Sequence, residues 1–267
     1  MIDVKAQTTG TAGVQGDLWS ARARDWAEVQ EDTVLPLYLA VLERVGVRTG
    51  TRLLDAGCGS GRFAQLGTAR GAIVTGLDAA PAVVAIARER LPDRDIRVGE
   101  LEDLPWADGS FDVVTGFNSF QYAANPAVAL REARRVALPG AQVVIAIWGE
   151  PDSCEAAAYV RTLGRLGPPA APGAPGPFAL SAPGALERLA ADAGFTDTQA
   201  FDVECTWRYA DLETALRGLL STGPAARAMR HSGEEAARRA VTEAIAPFRT
   251  TQGSYQIENI FRYVVAR

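Results

Sequence analysis

The run Leu53–Leu54–Asp55–Ala56–Gly57–Cys58–Gly59–Ser60–Gly61–Arg62–Phe63 gathers residues whose types and spacing can do chemistry. It follows a short apolar run and opens a helical pattern. Glycines at such a junction allow a tight turn and let a ligand approach free N–H groups at the helix start. The spacing is GxGxG. A dinucleotide fingerprint is GxGxxG, and Arg62 stands where its third glycine would fall; no GK[ST] follows, so a phosphate-gripping P-loop is excluded. Asp78 ends the next apolar run, about twenty residues later, where a carboxylate can accept from both hydroxyls of a ribose. It can equally cap the helix that Pro81 opens. Asp55, just before the glycines, puts a negative charge beside a cationic ligand group, which suits a sulfonium or ammonium better than a pyrophosphate. Cys58 reads as a small buried filler within the same loop.

These residues need a scaffold, and the flanking pattern supplies one. Residues 52–55, 73–78, 96–98, 111–117 and 143–148 read as strands. Helical patterns lie between them at 61–70, 82–90 and 127–137, and Leu138–Pro139–Gly140 reads as a turn. Strand–helix alternation of this kind implies a parallel sheet covered on both faces. Val143–Ile147 is apolar without alternation, as a strand buried on both sides requires. Ahead of this block, Asp17 to Val45 shows one apolar helical face interrupted at Pro36, which predicts two helices. The first dozen residues read as a frayed tail. Beyond Trp148 the pattern predicts helices over 156–166, 181–193, 211–220 and, after a capping box at Ser232–Glu235, up to Ala246. It predicts strands over 198–209 and 255–265. Gly167–Pro177 is too rich in proline and glycine for regular structure and is either a linker or a mobile loop near a substrate.

Composition bounds the rest. The chain has 267 residues, 48% hydrophobic and 22% charged, with a net charge of −5, ordinary values for a globular protein. No Lys/Arg stripe forms a phosphate-tracking surface, which argues against nucleic acid. No apolar stretch approaches the ~20 residues of a membrane span. Cys58, Cys154 and Cys205 show no CxxC spacing, and no acids cluster with histidine, so neither a disulfide framework nor a metal site is expected. A reducing cytoplasm fits best. Abundant Ala, Gly and Arg point to a GC-rich bacterial genome and, by association, to secondary metabolism.

DAGCGSG (55–61), LDAAP (77–81), GELEDLPWADGSFDVVTGFNSFQY (99–122) and RVALPGAQVVIAIW (135–148) resemble successive motifs of the class I S-adenosylmethionine (SAM)-dependent methyltransferases, most of all their small-molecule, UbiE-like branch. The resemblance covers residues 51–148. It implies an α/β, doubly wound, Rossmann-like seven-stranded sheet with its last strand antiparallel, N-terminal helices (1–50), and cap insertions around 150–180 and 210–250 in a SAM-binding domain of residues 51–267. It implies that Gly57, Gly59 and Gly61, with Cys58 between them, pass under the methionine part of SAM. Asp55 would sit near its amino group, Asp78 on the ribose and Ala79 against the adenine. Glu100, or Glu102 if the register slips, would accept from the adenine amino group beside the Leu101 N–H. Phe117 and Asn118 would line the methionine side. Glu100–Leu101 stands where family members often carry an aspartate–alanine pair.

The acceptor is expected to be a small molecule, methylated with release of S-adenosylhomocysteine (SAH). A SAM-binding enzyme of the same fold that catalyses another reaction, such as cyclisation, is the alternative, because fold and cofactor site do not fix the reaction. Acceptor contacts are expected from Trp19, Trp26 and Tyr38 on the N-terminal helices and from Gln121, Tyr122 and Trp148 after strand ends. The single histidine, His231, is the candidate general base. A monomer or a homodimer is expected.

Overall fold

Strands form where the apolar runs fall. They are β1 (Arg52–Ala56), β2 (Ile73–Asp78), β3 (Asp95–Val98), β4 (Phe111–Phe117), β5 (Ala137–Trp148), β6 (Thr198–Glu204), β7 (Trp207–Tyr209), β8 (Tyr255–Ile257) and β9 (Ile260–Ala266). This computed structural model describes residues 10–169 and 176–267. Seven strands form one sheet in the order β3-β2-β1-β4-β5-β9-β6, and β7 pairs with β8 in a small second sheet. β1 to β5 run parallel. β9 lies antiparallel between β5 and β6, so the expected mixed seven-stranded sheet with an antiparallel last strand is present.

Side chains alternate across the sheet with period two. Leu53, Val113 and Val144 face one core; their neighbours Leu54, Val114 and Ile145 face the other. The helices are α1 (Ala12–Ser20), α2 (Ala23–Asp25), α3 (Leu35–Arg44), α4 (Arg62–Ala69), α5 (Pro81–Arg90), α6 (Pro126–Val136), α7 (Ala157–Leu166), α8 (Ala185–Asp192), α9 (Leu212–Leu219), α10 (Gly223–Ser232) and α11 (Glu234–Ile245). α3, α4 and α5 cover the first face through Leu37, Val41, Phe63 and Val84. α6 and α8 cover the second through Leu130, Ala133 and Leu186. Each such fully buried large side chain contributes about 1.5–3 kcal/mol. α7, α10 and α11 pack on one another, and α9 packs against Trp26–Gln30.

Several expectations are corrected. Pro36 does not interrupt a helix: it sits in the first turn of α3, where its missing N–H costs nothing. The stretch before it is irregular, with α2 followed by a π turn (Trp26–Gln30) and a 3₁₀ turn (Glu31–Val34). α1 starts at Ala12, five residues ahead of the helical pattern expected from Asp17; residues 1–9, most of the expected tail, lie outside the described residues. The two long C-terminal strands each break. Buried Asn259 accepts from Ala156 N (3.1 Å) and its backbone oxygen accepts from Cys205 N (2.8 Å), which bends the ribbon between β6 and β7 and between β8 and β9. α10 has no counterpart among the expected helices; Thr222 caps it, its side chain accepting from Ala225 N. The capping box at Ser232 does not form. Ser232 ends α10 and donates to Leu166 O (2.7 Å), while Gly233 at φ +86° starts α11. Leu138–Gly140 lies within β5, where the β4 register shifts. Part of the Gly167–Pro177 loop, residues 170–175, lies outside the described residues.

Candidate functional site

In an open α/β sheet ligands bind beyond the carboxyl ends of the strands, where the strand order reverses. Here that point lies between β1 and β4. A pocket follows the edge from Gly99 after β3, past Asp78 (β2), Gly57 and Gly59 (β1) and Phe117 (β4), to Trp148 (β5) and Phe261 (β9). Six neighbouring strands at ~4.8 Å spacing separate its ends by about 24 Å. It holds about 1240 Å³ of space, part of it open to solvent. Its length along the sheet edge leaves room for two ligands side by side.

The glycine loop is shaped for close approach. Gly57 has φ +89°, and a Cβ there would overlap Ser119 Cβ. Gly59 has φ +52°, and a Cβ there would meet Glu31 Oε1 at 3.1 Å and Trp26 Nε1 at 3.5 Å. Asp78 organises the loop: Oδ2 accepts from Gly59 N and Oδ1 from Ala80 N, both at 2.9 Å. A carboxylate offers about four acceptor positions, so two remain. Among the described residues, Asn118 is the non-glycine residue held at positive φ (+48°). Its N–H donates to Ala146 O (2.7 Å) as the strand ends, and such strain concentrates at binding sites.

The electrostatics are one-sided. Asp55 is 1% exposed behind the loop, and its Oδ1 accepts from the Thr115 hydroxyl (3.1 Å). Burial, reinforced by the Glu31 and Asp78 charges and opposed by the Thr115 bond, pushes its pKa up to about 8. Burial also raises Asp78, opposed chiefly by the bonds from Ala80 and Gly59 N–H. Among the described residues no cation pairs with either acid. A buried cluster of acids short of counter-charge favours a cationic ligand group, whose approach stabilises the charged form of each acid.

A stability prediction follows. Because Asp55 titrates higher in the folded protein than the ordinary 3.8, the fold binds its proton more tightly than the unfolded chain does. The stabilisation is complete below about pH 4 and is lost as pH rises towards 8. The urea midpoint at constant m is expected to fall across that window, by at most about 1.4 kcal/mol per pH unit from this group. Asp55→Asn is expected to remove that part of the slope; an unchanged slope in the variant would contradict the assignment.

Glu31 carries no local signal in the sequence. It is 2% exposed and pins the N-terminal segment to the loop, accepting from Ser60 N (3.1 Å), from the Ser60 hydroxyl and from Arg90 Nη1 (2.6 Å). Arg90 also donates to Ala27 O (2.8 Å). Exposed pairs Arg24–Glu89, Arg62–Asp32, Arg217–Asp25 and Arg230–Asp17 add to this attachment, each contributing about 0–1 kcal/mol.

Of the expected binding residues, Gly57, Gly59, Asp78, Ala79, Glu100, Leu101, Phe117 and Asn118 line the pocket. Asp55 and Cys58 lie behind it; Cys58 fills the space beside Gly76, and burial holds its thiol well above the usual range. Gly61 packs against Ala87 at the start of α4 rather than facing the pocket. Glu102 points away and accepts from Asn125 N (2.9 Å), which leaves Glu100 at the wall. Glu100 Oε2 accepts from Ala12 N (2.9 Å). Of the expected acceptor contacts, Trp19, Trp26, Tyr38, Tyr122 and Trp148 line the pocket. Gln121 does not: it is buried beneath, donating to Asn118 Oδ1 (3.2 Å). His231 is corrected as well. It is exposed near the end of α10 beside Ser232, off the pocket wall, because the unforeseen α10 turns it outward. Gln30, Tyr159, Trp207, Thr222 and Phe261 are among the further residues of the wall.

The comparisons agree with this geometry. The family described as "Methyltransferase domain" matches residues 54–145. Malonyl-[acyl-carrier protein] O-methyltransferase of Erwinia pyrifoliae is 34% identical over 190 residues, covering 68% of this chain and 66% of that protein. Demethylmenaquinone methyltransferase of Renibacterium salmoninarum is 34% identical over 111 residues, covering 42% of this chain and 47% of that protein. The chain thus spans about half to two thirds of the length of these relatives. Among solved structures, YcgJ of Bacillus subtilis shares the fold, with TM-score 0.56 and 18% identity, over 86% of this chain and 97% of that one. No helix among the described residues is long and apolar enough to cross a membrane. The chain belongs to the class I SAM-dependent methyltransferases, in their UbiE-like branch, and its cofactor is SAM.

Proposed function

We propose that this protein transfers a methyl group from SAM to a small-molecule acceptor, in the cytoplasm of a bacterium and within natural-product metabolism. One observation carries the reading. A single pocket joins a glycine loop with uncompensated buried acids at one end to an aromatic wall at the other. The site fits the cofactor: no Lys, Arg or His among the described residues lines it, and Gly57 and Gly59 put bare backbone at positive φ into its wall. When bound, SAM supplies a methyl group activated by its sulfonium.

The chain's own residues do the rest. Gly57 and Gly59 keep the floor free of side chains, and Asp55 behind them gives up its proton as the cationic ligand group approaches. Asp78 takes the ribose hydroxyls on its two remaining acceptor positions. Glu100, with Ala79 and Leu101, holds the adenine end. Phe117 and Asn118 close the methionine side. The N-terminal segment 1–50 serves as a lid on the 51–267 domain, and the 150–180 and 210–250 insertions as a cap, together excluding water from the acceptor. Trp19, Trp26, Tyr38, Tyr122 and Trp148 hold the acceptor in line.

No histidine among the described residues lines the pocket. Burial raises the Tyr38 and Tyr122 hydroxyls, so both stay protonated at neutral pH and neither serves as a base. The acceptor atom must therefore be nucleophilic in its own right. The malonyl group named for the Erwinia relative carries a carboxylate, whereas no Arg, Lys or His among the described residues lines this pocket. That difference favours another acceptor.

Incubation with SAM and a panel of uncharged and charged small molecules tests the reading. SAH is expected to appear in step with a methylated product. Conversion of an acceptor with SAM left intact would replace transfer by a reaction such as cyclisation.

A further inference from the structure

The backbone donors of the glycine loop are all engaged. Gly57 N and Cys58 N both donate to Leu77 O (2.7 and 2.9 Å), and Gly61 N donates to Cys58 O (2.9 Å). Gly59 N donates to Asp78 Oδ2 (2.9 Å) and Ser60 N to Glu31 Oε1 (3.1 Å). Every N–H from Gly57 to Gly61 thus has its partner within the chain. Gly57, Gly59 and Gly61 all stand at positive φ. A glycine turn of this kind ahead of a helix ordinarily leaves N–H groups free to cradle a phosphate. Here none is left over for an anion.

Two carboxylates close the loop, and they differ in what they can discriminate. Asp78 does not separate one class of cofactor from another, because an acid at this position serves the ribose in dinucleotide sites as well. Glu31 comes from outside the strand–helix–strand unit, in the turn Glu31–Val34 ahead of α3. It reaches over the loop until Oε1 stands 3.1 Å from where a Gly59 Cβ would be. Its Oε2 accepts from the Ser60 hydroxyl and from Arg90 Nη1 (2.6 Å). Arg90 also donates to Ser60 O (3.0 Å) and Ala27 O (2.8 Å). The Glu31 carboxylate therefore masks two positive features just ahead of α4, the Ser60 N–H and the Arg90 guanidinium. Gly59 beneath it and Gln30 beside it in sequence line the pocket, so the masked spot lies directly behind the wall.

We propose that Glu31 is a specificity-determining residue of the cofactor site: its carboxylate stands where a nucleotide would place its phosphates, and it turns phosphate-bearing nucleotides away from a glycine loop otherwise shaped to take them. This rests on the methyltransferase reading above and adds which ligands the same site refuses. A phosphate brought to the loop meets Glu31 and Asp78 with every N–H taken, and like charges set together without a donor are strongly disfavoured. Adenosine compounds with a neutral or cationic 5′ group escape that repulsion. Removing the carboxylate reverses the sign of the spot, because Arg90 and the Ser60 N–H, both good phosphate partners, are then uncovered.

The test measures binding of adenosine and of ADP, which differ only in the phosphates, to the full chain. The unaltered chain is expected to bind adenosine at least about tenfold more tightly than ADP, the scale of a close like-charge contact. In Glu31→Ala, adenosine affinity is expected to stay within about twofold while ADP gains at least about tenfold, the scale of charge-assisted bonds to Arg90 and the uncovered N–H. Glu31→Gln keeps the side chain's size and is expected to shift ADP in the same direction by roughly threefold; it carries the test if the alanine variant folds poorly. ADP bound as tightly as adenosine by the unaltered chain would overturn the proposal. So would variants that keep adenosine affinity with no gain for ADP, or that lose both probes in parallel, the mark of a merely structural anchor. Failure of adenosine and SAH to bind the unaltered chain would instead overturn the cofactor reading on which the proposal rests.

Discussion

Asp78→Ala is expected to weaken SAM binding at least tenfold, about 1.4 kcal/mol. Two effects add. The first is direct, because the free acceptor positions on Asp78 face the pocket and vanish with the carboxylate. The second acts through the loop, because Gly59 N–H and Ala80 N–H both donate to this side chain. Removing it leaves two backbone donors to find water and loosens the turn that carries them. Hydrogen bonds to a charged partner contribute about 1.5–3 kcal/mol each, so the loss can exceed tenfold. Calorimetric titration of the variant checks it. Binding equal to that of the parent would place the cofactor elsewhere.

Gly57→Ala is expected to be more damaging than any alanine substitution on the outer surface. A Cβ at this position overlaps Ser119, and φ +89° is strained for any residue with a side chain. Strain of about 1–3 kcal/mol combines with a crowding cost of similar size. Ser119 cannot yield freely, since its hydroxyl donates to Ala56 O (2.7 Å) at the end of β1. Urea unfolding should show a midpoint lowered by a few kcal/mol equivalent, and SAM affinity should fall with it. Gly164→Ala is the contrast. Gly164 lies inside α7 with nothing within 4 Å of its would-be Cβ, so alanine there should stabilise by about 0.5–1 kcal/mol. Equal effects at both positions would show that the loop geometry is not what restrains Gly57.

The part of the molecule legible in sequence is the part set by local rules. The strand–glycine–helix junction at Asp55–Gly61 and the acid closing β2 need only a few contiguous residues, and pattern alone places them side by side. The resemblance then ordered the sheet, including the antiparallel β9. Legibility ends where tertiary contact decides. Glu31 sits in the polar run Gln30–Glu31–Asp32–Thr33, which reads as solvated surface. Its burial depends on Ser60 and Arg90, which only the fold brings near. Trp207 lay inside what looked like one continuous strand. The bend at Cys205 and Asn259 turns it into the pocket, and no local signal marks such a bend. His231 attracted notice by its chemistry, yet α10, absent from the expected helices, carries it outward. Glu100 and Glu102 are interchangeable in composition. The turn after β3 separates them, sending one to the pocket wall and the other to Asn125.

The most direct test of the account is a calorimetric titration of the unaltered chain with SAM, with SAH and with NAD. Micromolar binding of SAM and SAH, about −8 kcal/mol, at one site per chain and with no heat from NAD, is the predicted result. Binding of NAD, or no binding of SAM and SAH, would contradict the assignment of the glycine loop and Asp78 to this cofactor.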